Sequence, residues 1–337
     1  MAKVTVLMPT YNVAPWVGEA IESVLRQSYQ DFELLVIDDC STDDTVTVAR
    51  RIEDPRIRIV QNEHNLGLSD NLNRGLSLIT TEYVARMDGD DIALPHWLES
   101  EMTFLETHPE VGVCGGGGVR FGAVNSTIRF AEEHDDIVAN MLFQCTIIVP
   151  TFRMSLYRDH GLRYRTDAFP AEDYRFWADC LQVTRLHNIP APLFRYRMHE
   201  RQICTARREE QQSKVAEVRR LMLQRIGDGI TRQDSDYFTG QFQQPIDSPA
   251  DLRQRQRFVH RLIALNSHQP SFGPGALRHR LRFHLQQTLY YTVTSRFFAG
   301  GYNMKAYLRY LCSGLALRTG WHYELRFLAK SILHRPE

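Results

Sequence analysis

The chain has 337 residues, 43% of them hydrophobic and 24% charged, which is typical of a globular protein with one large domain or two ordinary ones. Its 40 basic side chains balance 40 acidic ones, so the formal net charge of zero gives no electrostatic reason to expect nucleic acid as a partner. The sequence has no apolar run of the roughly 18 residues that a membrane-spanning helix needs.

Residues 1 to about 120 alternate between strand patterns and helix patterns. In chain order the strands are "KVTVLMP", "FELLVID", "IRIVQN" and "EYVARMD", and the helices between them are "VGEAIESVLRQS", "TDDTVTVARRI" and "LSDNLNRGLSLI". Short apolar strands separated by helices pair in parallel through right-handed crossovers. The pattern therefore predicts an α/β fold with an open, mostly parallel sheet flanked by helices.

Polar segments follow each of these four strands. They are "PTYN", "DDCSTDD", "NEHNLG" and "DGDD". In open parallel sheets, ligands bind outside the carboxyl ends of the strands. We therefore expect the four loops to converge on one binding edge.

Beyond residue 94 the pattern predicts the helix "PHWLESEMTFLETHP" and then "VGVCGGGGVRF", whose glycines Gly115 to Gly118 indicate a strand end that another group approaches closely. A phosphate cradle is the weaker alternative, because no G-K-[ST] follows. Residues 130–204 mix short helices and strands. From about 205 the chain reads as helical, with a break at "QQPIDSPADL". We predict one α/β domain over 1–204 and a mainly helical region over 205–337.

Two carboxylates, Asp38 and Asp39, end the second predicted strand. One reading is that they cap the next helix or accept hydrogen bonds from loop N–H groups. The other is that they accept hydrogen bonds from a nucleotide base or ribose at the sheet edge.

Three more acids, Asp88, Asp90 and Asp91, follow the fourth strand. In isolation they are compatible with a solvated turn that caps the next helix. However, side chains two apart on an extended segment point the same way, so Asp88 and Asp90 can address one site. Because Mg²⁺ takes carboxylate, phosphate and water oxygens, we expect a divalent cation and a substrate diphosphate here.

Seven segments in one order resemble the inverting family 2 glycosyltransferases of the GT-A fold, in particular the bacterial enzymes that build surface polysaccharides. They are "VTVLMPTYN", "FELLVIDDCSTDDT", "NLGLSDNLNRGL", "EYVARMDGDDIALP", "FLETHPEVGV", "FPAEDYRFWADC" and "RYRMHERQ". The resemblance implies a Rossmann-like sheet with a helical C-terminal extension, a nucleotide-binding half over 1–120 and an acceptor half over 121–204. It also implies a nucleotide diphosphate sugar donor, expected to be UDP-linked, Mn²⁺ or Mg²⁺, and a glycan or lipid-linked acceptor.

The resemblance also assigns roles to individual residues. It implies Asp173 as general base with Glu172 beside it, and Asp88 and Asp90 as the D-x-D pair, with His199 contacting diphosphate or metal. The implied nucleotide-binding residues are Pro9, Thr10, Tyr11, Asn12, Asp38, Asp39, Asn65 and Asp88. Two alternatives stay open: Asp173 as an acid that only starts a helix, and His199 as a structural histidine.

The chain departs from the family pattern in two places. Val149, Pro150 and Thr151 stand where many relatives have "HPS" or "HPT", so a histidine near the acceptor is missing. A basic residue is also not evident around Asp70 and Leu72, where Arg74 is the candidate replacement. These departures leave the donor and acceptor open more than the reaction type.

The six cysteines, at positions 40, 114, 145, 180, 204 and 312, are scattered without metal-ligand spacing, which predicts reduced thiols. The N-terminus runs into a strand without the apolar segment of a signal peptide. We therefore expect a cytoplasmic protein, with the inner face of the cell membrane as a second location.

Between Ser271 and Glu337 ten basic residues stand against two acids. Amphipathic helices rich in basic residues can lie on anionic membranes, which makes peripheral membrane contact one hypothesis for the C-terminal region. The alternative, slightly favoured by the sequence, is an ordinary amphipathic helix packed on the protein.

Two other functions compete with sugar transfer. A nucleotidyltransferase would need a basic nucleotide loop early in the chain, which "PTYNVAPW" is not. A non-catalytic glycan-binding scaffold is disfavoured by the complete set of Asp88, Asp90 and Asp173.

Overall fold

The structure is a computed structural model that describes residues 2–200, 202, 207–268, 271–316, 318 and 321–333. Cys204 lies outside these described residues. The chain divides into two compact units, Met1–Arg219 and Arg220–Glu337. The first contains the sheet, and the second contains helices only among its described residues.

The first half of unit 1 is the predicted alternation of strands and helices. Four strands pair in parallel in the order β3-β2-β1-β4. The strands are β1 (Val4–Thr10), β2 (Phe32–Asp38), β3 (Ile57–Gln61) and β4 (Tyr83–Arg86), and the helices between them are α1 (Val17–Leu25), α2 (Thr45–Arg50) and α3 (Leu68–Leu78). Every residue of β1 is buried, as expected for a central parallel strand covered on both faces.

The second half of unit 1 makes the sheet mixed. From β4 the order continues β8-β6-β9-β5, with β7 on β6; β6 and β9 pair in parallel, and the other pairs are antiparallel. The elements are β5 (Ile92–Ala93), α4 (Trp97–Thr107), β6 (Val111–Gly122), β7 (Ser126–Ile128), α5 (His134–Asn140), β8 (Thr151–Arg153), α6 (Ser155–Arg158), α7 (Glu172–Cys180) and β9 (Arg185–Met198). The predicted α/β architecture is confirmed, and its largest set of adjacent parallel strands is the four-stranded set β1 to β4.

The glycine run does not end a strand, and that prediction is wrong. Gly115 to Gly118 lie in the middle of β6, where they pair with β9. The expected close approach is present: a Cβ on Gly116 would lie 2.3 Å from the Leu193 side chain, and one on Gly118 would lie 2.7 Å from the Phe194 ring. These glycines therefore admit bulky side chains of β9, and nothing in this packing suggests a phosphate cradle.

The C-terminal region is helical, as predicted. The helices are α8 (Arg208–Gln224), α9 (Arg232–Thr239), α10 (Pro249–His268), α11 (Pro274–Phe297), α12 (Met304–Leu311) and α13 (Trp321–Leu333). The predicted break lies between a 3₁₀ turn (Gln241–Gln243) and α10. Among the described residues, the structure has no helix of the length and apolarity needed to span a bilayer.

A fully buried arginine stabilises this break. The Arg255 guanidinium binds both carboxylate oxygens of Asp251 at 3.0 Å. It also donates to the carbonyl oxygens of Phe242, Gln244 and Pro245, at 3.1, 2.8 and 3.1 Å. Because burying a charge is costly without partners, this complete set of bonds ties the loop to α10.

We expect Arg255→Ala to lower the free energy of unfolding by about 3–5 kcal/mol, since it leaves the Asp251 carboxylate buried and unpaired. Urea unfolding of the full chain measures the change. Arg253→Ala, an exposed arginine on the same helix, is the control and should stay within about 0.5 kcal/mol of wild type. Equal losses in the two variants would contradict the role of this network.

Candidate active site

Asn12 connects the loops that follow β1 and β2. Its backbone has a φ of 54°, in the left-handed region that asparagine adopts more readily than most residues. Its Oδ1 accepts hydrogen bonds from the N–H and hydroxyl of Thr42 at 2.9 and 3.3 Å, and its own N–H donates to Ser41 Oγ at 2.9 Å. The first two loops therefore form one connected edge, as predicted.

Asp38 is fully buried and holds this same edge together. It accepts from the Thr10 hydroxyl at 3.1 Å, from the Ser41 N–H at 2.9 Å and from the Ser41 hydroxyl at 2.5 Å. Asp38 thus accepts a hydrogen bond from a loop N–H group, which is the structural role that the sequence left open. Its contact with a base or ribose stays a proposal.

Asp39 ties down the third loop. Its carboxylate accepts from Asn62 Nδ2 at 2.8 Å and from the backbone N–H groups of Leu66 and Gly67 at 2.8 and 2.9 Å. Asn65 Nδ2 adds a bond to the Asp39 carbonyl oxygen at 3.1 Å. Three predicted nucleotide-binding loops are therefore joined by hydrogen bonds in which Asp38 and Asp39 are acceptors and Asn12 both donates and accepts.

Other predicted nucleotide-site residues differ in exposure. Pro9 is buried within β1, whereas Tyr11 is 48% exposed at the end of the strand. Arg74, the candidate basic replacement, donates to Asn62 Oδ1 at 2.7 Å, and Asn62 in turn bonds to Asp39. The structure therefore places Arg74 beside this edge and leaves the Tyr11 ring accessible.

The three acids after β4 form a compact oxygen cluster. One carboxylate oxygen each of Asp88, Asp90 and Asp91 lies within 4.8 Å of the others. Asp91 Oδ1 accepts from the Arg197 N–H at 2.8 Å, while its Oδ2 is buried without a hydrogen-bond partner. Oxygens on opposite sides of Mg²⁺ lie about 4.2 Å apart, so this all-oxygen set fits a hard divalent cation after small side-chain adjustments.

His199 lies against the acid cluster, although it is distant in sequence. Its Nε2 is 3.0 Å from Asp90 Oδ2, and its ring stacks on Trp16 with centroids 3.9 Å apart. The structure thus brings His199 to the predicted metal site. Its role as a metal ligand stays a proposal. Trp16 was missed because one aromatic residue before a helix carries no distinctive signal.

Arg86, also missed from the sequence, joins the acid cluster to Asp173. It ends β4 and is only 6% exposed. Its guanidinium lies 2.9 Å from Asp88 Oδ1 and 3.1 Å from Asp173 Oδ2, and its backbone N–H donates to the Pro150 carbonyl at 2.9 Å. A charged residue within the apolar pattern "EYVAR" was the available signal.

Asp173 lies in the first turn of α7, next to Glu172. The residue that caps this helix, Ala171, has no side-chain cap hydrogen bond, and Asp173 bonds to Arg86 instead. Its Oδ1 and Glu172 Oε2 are buried without hydrogen-bond partners. A carboxylate oxygen in this state is available to accept a hydrogen bond from a bound hydroxyl after local movement.

Burial dominates the electrostatics of this cluster. It raises the pKa of Asp88 to about 6, an effect that Arg86 opposes and that Asp90 and Asp173 reinforce. Burial, with the neighbouring Asp173 charge, raises the pKa of Glu172 to about 8. It also raises the pKa of Asp91 above its ordinary value, with help from Asp90 and Asp88. Local cations are therefore needed to keep several of these carboxylates ionised.

Val149, at the position of the missing family histidine, is buried. It is 1% exposed, belongs to the hydrophobic core of unit 1 and has a φ of 49°. Its carbonyl oxygen accepts from Trp97 Nε1 at 3.0 Å. The replacement thus contributes an apolar side chain to the core in a backbone conformation that is unusual for a β-branched residue.

Sequence comparisons identify one family. The sequence model described as "Glycosyl transferase family 2" matches residues 5–167. An uncharacterized glycosyltransferase of Haemophilus influenzae is 34% identical over 232 residues, 64% of this chain and 72% of the relative. Putative glycosyltransferase EpsE of Bacillus subtilis is 43% identical over 205 residues, 58% of this chain and 73% of the relative. The Escherichia coli enzyme WfgD, a UDP-Glc:alpha-D-GlcNAc-diphosphoundecaprenol beta-1,3-glucosyltransferase, is 34% identical over 102 residues, 30% of this chain and 40% of that enzyme.

Solved structures share the fold. S. aureus TarS 1-349 in complex with UDP-GlcNAc matches with a TM-score of 0.59 at 19% identity, covering 89% of this chain and 93% of that one. Mannosyltransferase PcManGT from Pyrobaculum calidifontis, in complex with GDP-Man and Mn²⁺, matches with a TM-score of 0.51 at 19% identity, covering 98% and 86%. This likeness confirms the predicted GT-A-type fold and, at such identities, shows the fold alone.

We expect Glu172→Gln to stabilise the protein more at high pH than at low pH. The folded-state pKa of about 8 lies above the ordinary value of 4.5, so the stability associated with protonated Glu172 is lost as pH rises through this interval. Each unit of pKa difference corresponds to about 1.4 kcal/mol.

Urea unfolding of wild type and variant at about pH 5 and about pH 8.5 measures this dependence. Glu53→Gln, which changes an exposed glutamate, is the control. A Glu172→Gln effect that is the same at both pH values would contradict the assignment.

Proposed function

Because the chain belongs to glycosyltransferase family 2, we propose that it transfers a sugar, with inversion, from a UDP-sugar to a hydroxyl of a cell-surface glycan or lipid-linked acceptor. The observation that carries the proposal is the contact between the acid cluster and Asp173 through Arg86. It joins a site suited to a cation-bound diphosphate with a carboxylate suited to a hydroxyl. Inverting transfer needs both within one donor-acceptor complex.

The donor is proposed to bind the first half of the catalytic domain, residues 1–120. There the exposed ring of Tyr11 can stack on the nucleotide base. Asp38, Asp39 and Asn65 hold the surrounding loops through hydrogen bonds. Thr10 ends β1 next to Pro9, and Asn12 holds the first of these loops directly after it. TarS binds UDP-GlcNAc, and WfgD is named for UDP-Glc, which supports UDP. PcManGT binds GDP-Man, which makes GDP the alternative.

We propose that Asp88, Asp90 and Asp91 hold Mn²⁺ or Mg²⁺, with His199 as a further ligand or diphosphate contact. Asp91 extends the set predicted from the sequence, on the evidence of its buried, unpaired Oδ2. When bound, the cation would neutralise negative charge that develops on the departing diphosphate. The Mn²⁺ complex of PcManGT supports such an ion.

Asp173 is the proposed general base. As the acceptor oxygen bonds to the anomeric carbon, Asp173 takes the hydroxyl proton and the bond between that carbon and the diphosphate oxygen breaks. The nucleoside diphosphate leaves, and no covalent enzyme intermediate is needed. Because burial raises the pKa of Glu172 to about 8, its carboxyl is protonated at neutral pH. It therefore adds little negative charge beside the general base.

Residues 121–204 are proposed to receive the acceptor, since Asp173 lies there. WfgD is named for a diphosphoundecaprenol-linked acceptor, which supports a lipid-linked one. The cytoplasmic location stays a prediction. A scaffold function remains the competing proposal, because Val149 replaces a histidine of many relatives.

Calorimetric binding of UDP and of GDP, each with and without Mn²⁺, tests the site. We expect UDP binding to depend on Mn²⁺, because the diphosphate and the acid cluster repel each other without a cation. Asp90→Ala should abolish this binding, because it removes a proposed ligand of the cation. Asp31→Ala, an exposed acid distant in sequence from the site, is the control. Asp173→Asn should keep nucleotide binding and lower donor turnover by about 100-fold or more. Binding without turnover in wild type would favour the scaffold, and absence of nucleotide binding would refute the proposal.

Arg86 is proposed to position Asp173 rather than to touch the substrate. Arg86→Met should lower kcat by about 100-fold, the effect of a misplaced catalytic group, and should also raise the donor KM, because Asp88 loses the same partner. Arg86→Lys keeps a positive charge between Asp88 and Asp173, so it should recover part of kcat. It should also destabilise the protein less than Arg86→Met, because the two buried acids keep a cationic partner.

Thermal melts of each Arg86 variant separate unfolding from misplacement. Arg50→Met, at an exposed site, is the control for loss of an arginine. Loss of donor binding with kcat retained would show that Arg86 acts on the donor and would contradict positioning.

A further inference from the structure

Helix α12 has an apolar stripe that its own unit does not cover. Met304, Leu308 and Leu311 follow one another at i, i+4 and i+7, so they lie on one side of the helix. They are 44%, 56% and 39% exposed. The side of α12 that faces the core of unit 2 is different and carries Tyr307 and Tyr310.

Helix α13 has the same arrangement. Leu325 and Ile332 are separated by seven residues and are 56% and 62% exposed, and Leu333 beside them is 78% exposed. Phe327 of the same helix is fully buried in the core of unit 2. Both helices thus pack through one side and present aliphatic side chains on another.

Exposed cations lie next to both stripes. Lys305 and Arg309 follow Met304 and Leu308 by one residue, which is about 100° around the helix. Arg326 follows Leu325 by the same step, and Lys330 lies one turn beyond Arg326. On both helices a basic residue therefore lies about 100° around the axis from the apolar residue that precedes it.

The acid that could balance these charges is buried. Glu324 is the only acidic residue of the sequence between 299 and 336. It is 7% exposed and accepts a hydrogen bond from the Tyr310 hydroxyl within the core. Apart from His322, the exposed side chains that the structure describes on α12 and α13 are thus basic or apolar, and none of them is acidic.

We propose that these two helix faces form a docking surface for an anionic lipid bilayer. Aliphatic side chains enter the interface between headgroups and acyl chains, and neighbouring lysines and arginines bind lipid phosphates. A second copy of this surface would repel it by like charge, and nucleic acid would leave the aliphatic stripe in water. The sequence slightly favoured a helix packed entirely on the protein, whereas the exposed stripes favour the bilayer. This inference does not depend on the proposed sugar transfer.

Flotation of the full chain with vesicles tests the surface. We expect binding to vesicles that contain phosphatidylglycerol, weaker binding to vesicles of phosphatidylcholine alone, and release by salt. Replacing both Leu308 and Ile332 with Asp should weaken binding by about tenfold or more, because it places charge in the apolar layer. Lys305→Glu with Arg309→Glu should weaken binding to anionic vesicles selectively.

Matched controls lie outside the surface. Val183→Asp changes a 40% exposed aliphatic residue, and Arg232→Glu changes a side chain that is 97% exposed on α9. Both should bind vesicles like wild type, and thermal melts of all variants check folding. No binding to anionic vesicles at low salt, or equal losses in the controls, would overturn the proposal. So would sedimentation showing that Leu308→Asp dissociates an oligomer without changing vesicle binding. UDP binding, measured separately, tells failure of this surface from failure of the proposed enzyme.

Discussion

The site depends on one buried guanidinium. Arg86 has little exposure, and its contacts with Asp88 and Asp173 supply the opposite charges that a buried cation needs. The benefit is mutual, because each carboxylate gains an opposite charge in a largely buried setting. The backbone bond from Arg86 to the Pro150 carbonyl fixes its strand end. One guanidinium therefore lies between the acid cluster and the proposed base.

The parallel strands supply the rest of the edge, and its acids have two kinds of environment. Asp38 and Asp39 are buried but surrounded by N–H and hydroxyl donors, which compensate their charge within the loops. Asp91 retains a buried oxygen without a partner. The difference explains why the first pair suits a structural role beside the proposed nucleotide site, whereas the later acids suit the proposed cation. Both environments arise from loops at the carboxyl ends of one sheet.

Local patterns were sufficient for the parallel half of the sheet and for its polar loops. Apolar runs revealed β1 to β4, and the acids after β2 and β4 revealed the edge. They could not reveal β5 and β8, of two and three residues, because such strands are defined by distant partners rather than by periodicity. The same limit applies to Arg86 and Trp16, whose partners Asp173 and His199 are remote in sequence. For the glycines of β6, the sequence correctly predicted a close approach by another group but wrongly placed them at the end of the strand.

The helical unit shows the same limit for surfaces. Sequence composition revealed an excess of basic residues but could not tell which helix sides face the core. Burial of Glu324 and Phe327 fixes the orientation of α13, and burial of Tyr310 does so for α12. With these sides inside, Leu308, Leu325 and Ile332 lie outside the core and are exposed. Their proximity to exposed lysines and arginines then makes a bilayer a better partner than water or a like-charged copy, since it offers apolar volume and anions at one boundary.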